Sequence, residues 1–91
     1  MNEGNKRLEK MFRALGNQNR IKIIEHLKRN ALTPTDLTEK LKLSYQATYN
    51  HIRKLDEAGF LQKERSHNYV FYSLDTNANK KIKTLLNLIC K

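Results

Sequence analysis

The stretch Leu43–Leu61, LSYQATYNHIRKLDEAGFL, decides how this chain is read. At about 100° per residue it forms one helix with two unlike sides. Ala47, Thr48, His51, Ile52, Leu55 and Ala58 gather on one side and suit a core. Tyr45, Gln46, Tyr49, Asn50 and Arg53 gather on the other, with no acid before Asp56 and Glu57. A merely solvated face is the plain alternative. The residue types favour another role: Asn, Gln and Arg make paired hydrogen bonds to base edges in a DNA groove, and Tyr offers stacking or methyl contact.

The flanking residues give that helix a setting. Upstream, Thr33-Pro34-Thr35-Asp36 is a helix start. Thr33 caps, Pro34 fits the first turn and Asp36 reaches back as a capping-box partner. Leu37 and Leu41 bury this supporting helix, Lys42-Leu43 leaves room for a very short turn, and Ser44 caps the reading helix, which Gly59 ends. Downstream, Phe60–Arg65 and Tyr69–Leu74 read as two strands joined by Ser66-His67-Asn68, with Val70, Tyr72 and Leu74 turned inward. Lys63, Arg65, His67 and Asn68 then lie along the outer rim and tip of the hairpin, where they contact DNA or, in the plainer reading, guard a strand edge.

Further out, residues 1–5 are polar and expected to fray. Leu8, Met11, Phe12 and Leu15 follow at i, i+3, i+4 and i+7, up to Gly16. Asn17 caps a second helix with an apolar stripe of Ile21, Ile23, Ile24 and Leu27. Asp75 or Thr76 caps a last helix with Ile82, Leu85, Leu86 and Ile89 at the same spacing. The expected fold is mainly α with a small β-hairpin, a winged helix-turn-helix of order α-α-α-α-β-β-α in one domain over residues 1–91. The helix-turn-helix spans 34–58 and the wing 60–74. The stripes of the terminal helices, 6–15 and 76–90, would be partly exposed on a single chain, so they are expected to pair across a two-fold axis. A membrane surface is the competing destination for the last stripe, beside Lys80, Lys81 and Lys83.

Ninety-one residues allow only a small core. Lys and Arg number 18 against 9 acids, for a net charge of +9, which points to a polyanionic partner. Residues 1–30 carry 8 bases and 3 acids, residues 61–91 carry 6 and 2, and residues 31–60 carry 4 of each. The excess thus flanks the reading helix, as expected when phosphates are held by the flanks and bases by the centre. The lone Cys90 excludes an internal disulfide framework and reads as a bland thiol. No apolar run spans a membrane and no secretory signal opens the chain, so a cytoplasmic protein is expected. His26, His51 and His67 have no compact metal-site spacing, and His51 sits toward the buried side of its helix. No paired carboxylates, phosphate loop or nucleophile–base pair suggests catalysis, and no cofactor is implied.

Four pieces of the sequence, in order, resemble one known family. Ala14–Ile24, ALGNQNRIKII, resembles the ALGxxxRxxIL entry of the arsenical-resistance-repressor (ArsR-type) winged-helix regulators. Asp36-Leu37 through Leu43-Ser44 is similar to their supporting helix and turn. HIRKLDEAGFL, 51–61, resembles the end of their recognition helix, and VFYSL, 70–74, their wing strand. The resemblance covers residues 12–75. It implies a homodimer paired through the first and last helices and a repressor of a palindromic operator. It places Gln46, Tyr49, Asn50 and Arg53 at the major groove and the Arg65–Asn68 wing near the backbone or minor groove.

The departures concern the switch. Arsenic and cadmium sensors of the family carry a CxC pair where this chain has Thr33 and Thr35. Zinc sensors place Asp and His ligands where it has Thr76, Ala78 and Ile89. Neither metal site carries over, since Thr is a poor ligand for soft metals and Ala and Ile provide none. Lys42 stands where relatives often have Gly. If the turn needs a left-handed residue there, Lys costs about 1 kcal/mol. The alternative reading from another class is a winged-helix module that binds a protein of the transcription or replication machinery.

Overall fold

The structure is a computed structural model that describes residues 3–89, with side chains from 4 to 88. Five helices and one hairpin follow in order: α1 (Glu3–Leu15), α2 (Gln18–Leu27), α3 (Pro34–Leu41), α4 (Tyr45–Glu57), β1 (Leu61–Ser66), β2 (Tyr69–Leu74) and α5 (Ala78–Ile89). This is the expected winged helix-turn-helix. No described helix is long and apolar enough to cross a membrane.

The helix ends obey local chemistry. Asn17 Oδ1 accepts from the backbone N–H groups of Asn19 and Arg20 and so starts α2. Thr33 and Asp36 form the capping box: Asp36 N donates to Thr33 Oγ1 at 3.1 Å, and Thr33 N donates to Asp36 Oδ2 at 3.1 Å. Ser44 Oγ accepts from Ala47 N and starts α4. That helix ends in a Schellman motif. Gly59 N donates to Asp56 O, Phe60 N donates to Leu55 O, and Gly59 adopts φ +87°. Phe60 and Leu55, the apolar pair that accompanies this exit, are both fully buried.

Helix α4 is the hub, touching α1, α2, α3 and β1. Ile52 and Leu55 on its inner side meet Ile23 and Leu27 of α2, Leu37 of α3, and Phe60 in one cluster. Met11 and Ala14 bring in α1, Tyr72 brings in the wing and Leu85 brings in α5. The residues before α3 are pinned to the wing, because Leu32 and Tyr72 exchange both backbone hydrogen bonds, at 2.9 and 2.7 Å.

Four expectations change in detail. Residues 3–5 are helical, so α1 starts before residue 6. Phe60 is spent on the helix exit, so β1 starts at Leu61. Ser66 pairs with Tyr69, which leaves His67 and Asn68 as a two-residue turn. His67 has φ +56° and is the turn's positive-φ residue, the pattern of a type II′ hairpin. Finally, Asp75 Oδ2 accepts from Asn77 N and closes a turn ahead of α5, which begins at Ala78 without using Thr76.

Candidate nucleic-acid interface

The two-sided helix folds as its sequence dictates. Thr48, Ile52, Leu55 and Ala58 are buried and His51 and Ala47 are half-buried, while Tyr45, Gln46, Tyr49, Asn50 and Arg53 are all exposed. Among the described residues, the side chains of Gln46, Asn50 and Arg53 make no hydrogen bond or ion pair within the protein. Their donors and acceptors are open to solvent or to a partner. The first turn of α4 carries no acid, so the positive end of its dipole is uncompensated there. Ser44, also a candidate contact, spends its hydroxyl on the helix cap.

The turn between α3 and α4 depends on Lys42, with φ 58° and ψ 40°. This is the left-handed conformation that favours Gly. Its N–H still donates to Thr38 O at 2.9 Å, so the turn is closed at a backbone cost of about 1–2 kcal/mol.

The wing stands beside α4 across a groove of about 670 Å³. Cross-strand partners share a face, and Lys63 and Arg65 lie opposite Tyr72 and Val70. All four residues line the groove. Lys63 and Arg65 therefore face the reading helix instead of an outer rim. Lys63 Nζ lies 3.7 Å from Asp56 Oδ2 on α4, while Arg65 has no ion pair among the described residues. Asn68 also lines the groove, and His67 is exposed at the tip.

All four tyrosines of the protein line this groove. Tyr45 and Tyr49 are stacked, with ring centroids 6.2 Å apart at 15°. Tyr72 is buried behind them. Burial first, then the neighbouring Tyr49, Asp56 and Tyr45, push its phenol above the ordinary value, so it stays a neutral donor or acceptor. Sequence reading placed Tyr72 in the core and missed that it floors the groove; its pairing opposite Lys63 is the signal that reveals this.

The other candidates fall in several places. Thr33 and Thr35 line the groove's α3 wall, with Thr33 Oγ1 committed to the capping box. His51 lies on α4 with its Nδ1 buried and unpartnered. Burial first, then the positive charges of Arg20 and Lys54, lower its pKa. Among the described residues no three His, Cys, Asp or Glu side chains gather at one point. Of the terminal stripes, Met11 (8% exposed) and Leu85 (2%) belong to the chain's own core. Leu8, Phe12, Leu15 and Ile82 are half-buried, and Leu86 (51%) is exposed, as is Leu88 (47%), which the sequence reading did not single out. The side chain of Ile89, and Cys90 altogether, lie outside the described residues.

The similarity to known proteins follows the same lines. The model of the family described as "Bacterial regulatory protein, arsR family" matches residues 17–63, from the cap of α2 into the wing. The chain is 28% identical to the transcriptional repressor SdpR of Bacillus subtilis over 85 residues, which is 92% of this chain and 94% of that protein. Among solved structures it is similar to HlyU of Vibrio cholerae, with 27% identity, full coverage of both chains and a TM-score of 0.75. It shares its fold with Mb0332 of Mycobacterium bovis, described as a homodimeric winged helix-turn-helix DNA-binding domain, at 13% identity, 92% and 78% coverage and a TM-score of 0.78. With more than half of its length matched to the family model, and the capped α3–turn–α4 unit and wing in place, the chain belongs to the arsR family of bacterial regulatory proteins: it is a winged helix-turn-helix transcriptional regulator and not an enzyme.

Proposed function

We propose that this regulator is a homodimeric repressor that occupies a palindromic operator in the bacterial cytoplasm. The observation that carries the proposal is the outer face of α4, where Gln46, Asn50 and Arg53 are exposed and unsatisfied beside Tyr45 and Tyr49. In this reading those side chains meet base edges in the major groove. Lys63, Arg65, His67 and Asn68 hold the backbone alongside, and the first turn of α4 faces a phosphate.

Dimerisation rests on the exposed Leu86 and on the half-buried Leu8, Phe12, Leu15 and Ile82 of the terminal helices, with the exposed Leu88 beside them. Covering this surface with a second copy removes apolar area from water and brings two reading helices to successive major grooves, about 34–36 Å apart. The description of SdpR as a repressor and of the M. bovis domain as homodimeric supports the reading.

Selection of bound fragments from a bacterial genome, followed by sedimentation of the free protein, tests it. The expected result is an inverted repeat with half-sites one helical turn apart and a dimer at micromolar concentration. Recovery of no sequence above the non-specific background would leave the protein-binding module as the better reading, and a stable monomer would remove the two-fold arrangement.

A further inference from the structure

The reading helix has two flanks, and the wing borders one. The other faces a cleft of about 600 Å³ between α1 and α4 that the proposal above does not use. Lys6, Lys10 and Arg13 of α1, Arg20 of α2 and Lys54 of α4 line it, against only Glu9 and Glu57. Arg13 is held by Glu9 at 2.9 Å along the same helix. Lys6, Lys10, Arg20 and Lys54 have no ion-pair partner among the described residues. The Nε of Arg20 is shut off from solvent and makes no hydrogen bond. The pKa of His51 is lowered by burial first, and then by the charges of Arg20 and Lys54.

Lysines spread over a convex surface are explained by solvation. Four cations without ion pairs converging on one concavity, against the one unpaired acid Glu57, are not, because they repel one another and the walls focus their field on any anion that enters. The cleft also stays clear of the proposed dimer surface. At about 100° per residue, Lys6, Lys10 and Arg13 fall on the side of α1 opposite Leu8, Phe12 and Leu15. Ammonium and guanidinium groups with few competing acids select phosphate oxygens. Lys54 follows Arg53 around α4, next to the face proposed to read bases.

We propose that the cleft between α1 and α4 is a second phosphate-binding site, in which Lys6, Lys10, Arg20 and Lys54 hold a phosphate group on the flank of the reading helix away from the wing. The group comes either from the DNA strand on that side of the major groove or from a free phosphorylated ligand. Only the first source rests on the DNA-binding reading.

The test pairs wild type with the double variant Lys10→Ala, Lys54→Ala, whose fold is checked by circular dichroism. In one arm, affinity for a random-sequence duplex of ~30 base pairs is measured over a salt series, and loss of two phosphate contacts lowers the log–log slope by nearly two. In the other arm, pyrophosphate is titrated into the free protein and amide shifts of Arg20 and Lys54 are followed. A reduced slope assigns the site to DNA. An unchanged slope with saturable pyrophosphate shifts, abolished in the variant, assigns it to a free ligand. An unchanged slope and no saturable shift overturns the proposal. If wild type binds no duplex at all, the DNA-binding reading fails and the pyrophosphate arm alone decides the cleft.

Discussion

Lys81 on α5 donates from its Nζ to the carbonyl oxygen of Gly59 at 2.7 Å, and the same ammonium lies 3.1 Å from Asp75 Oδ2. The last helix is thereby tied to the exit of the reading helix. Asp75 is held below the usual carboxylate range by the Asn77 N–H first and by Lys81 second. Lys81→Ala leaves the Gly59 carbonyl without this donor and is expected to destabilise the fold by about 1 kcal/mol, allowing for partial exposure. Lys80→Ala, on an exposed position, serves as the control. Urea midpoints measure the difference, and equal midpoints for the two variants would rule out the tie.

Lys42→Gly is expected to stabilise the protein. It removes about 1–2 kcal/mol of left-handed strain and adds roughly 0.5–1 kcal/mol of chain entropy to the unfolded state, for a net gain of about 0.5–1 kcal/mol. Thermal melting reads this as a rise in Tm. A fall would mean that the Lys side chain contributes more than its backbone costs.

Arg53→Ala is expected to weaken specific DNA binding by about 1–3 kcal/mol and to relax preference at one base position, with little change in non-specific affinity. Competition assays with single-base operator variants measure both effects. Equal loss on every sequence would make Arg53 a phosphate contact.

Arg65→Ala is expected to lower the salt dependence of DNA binding by about one in log–log slope while leaving base preference intact. Lys63 gives the weaker version of the effect because Asp56 already neutralises part of its charge. A slope that stays put in both variants removes the wing from the interface.

His51 sets the expected pH response. Its pKa in the fold lies below the ordinary 6.5, through burial first and then Arg20 and Lys54. Below pH 6.5 the unfolded chain takes up a proton that the fold resists. Stability is therefore full above that value and is lost as the pH falls through the folded pKa. Urea midpoints between pH 7.5 and pH 5 should fall, and His51→Gln should flatten the fall. An equal slope in the variant would assign the effect to other groups.

Local chemistry made much of the molecule readable from sequence. Asn17, the Thr33–Asp36 box, Ser44 and Gly59 each stop or start a helix through backbone groups within a few residues, so position in the chain is enough. The outward face of α4 was legible because its period is that of a helix. What eluded the sequence depends on contacts between distant segments. The stripes of α1 and α5 have the right spacing, but only packing sends Met11 and Leu85 into the chain's own core and leaves Leu86 outside. Strand register turns Lys63 and Arg65 toward α4. The basic cleft joins Lys6 to Lys54 across three helices. No local pattern encodes such a meeting.

The gathering of every tyrosine on one groove has a practical consequence. The chain has no tryptophan, so its near-ultraviolet emission is dominated by Tyr45, Tyr49, Tyr69 and Tyr72. The native protein thus carries its own optical label at the proposed docking surface and nowhere else. A molecule that enters between α4 and the wing meets these rings directly and is expected to change that signal.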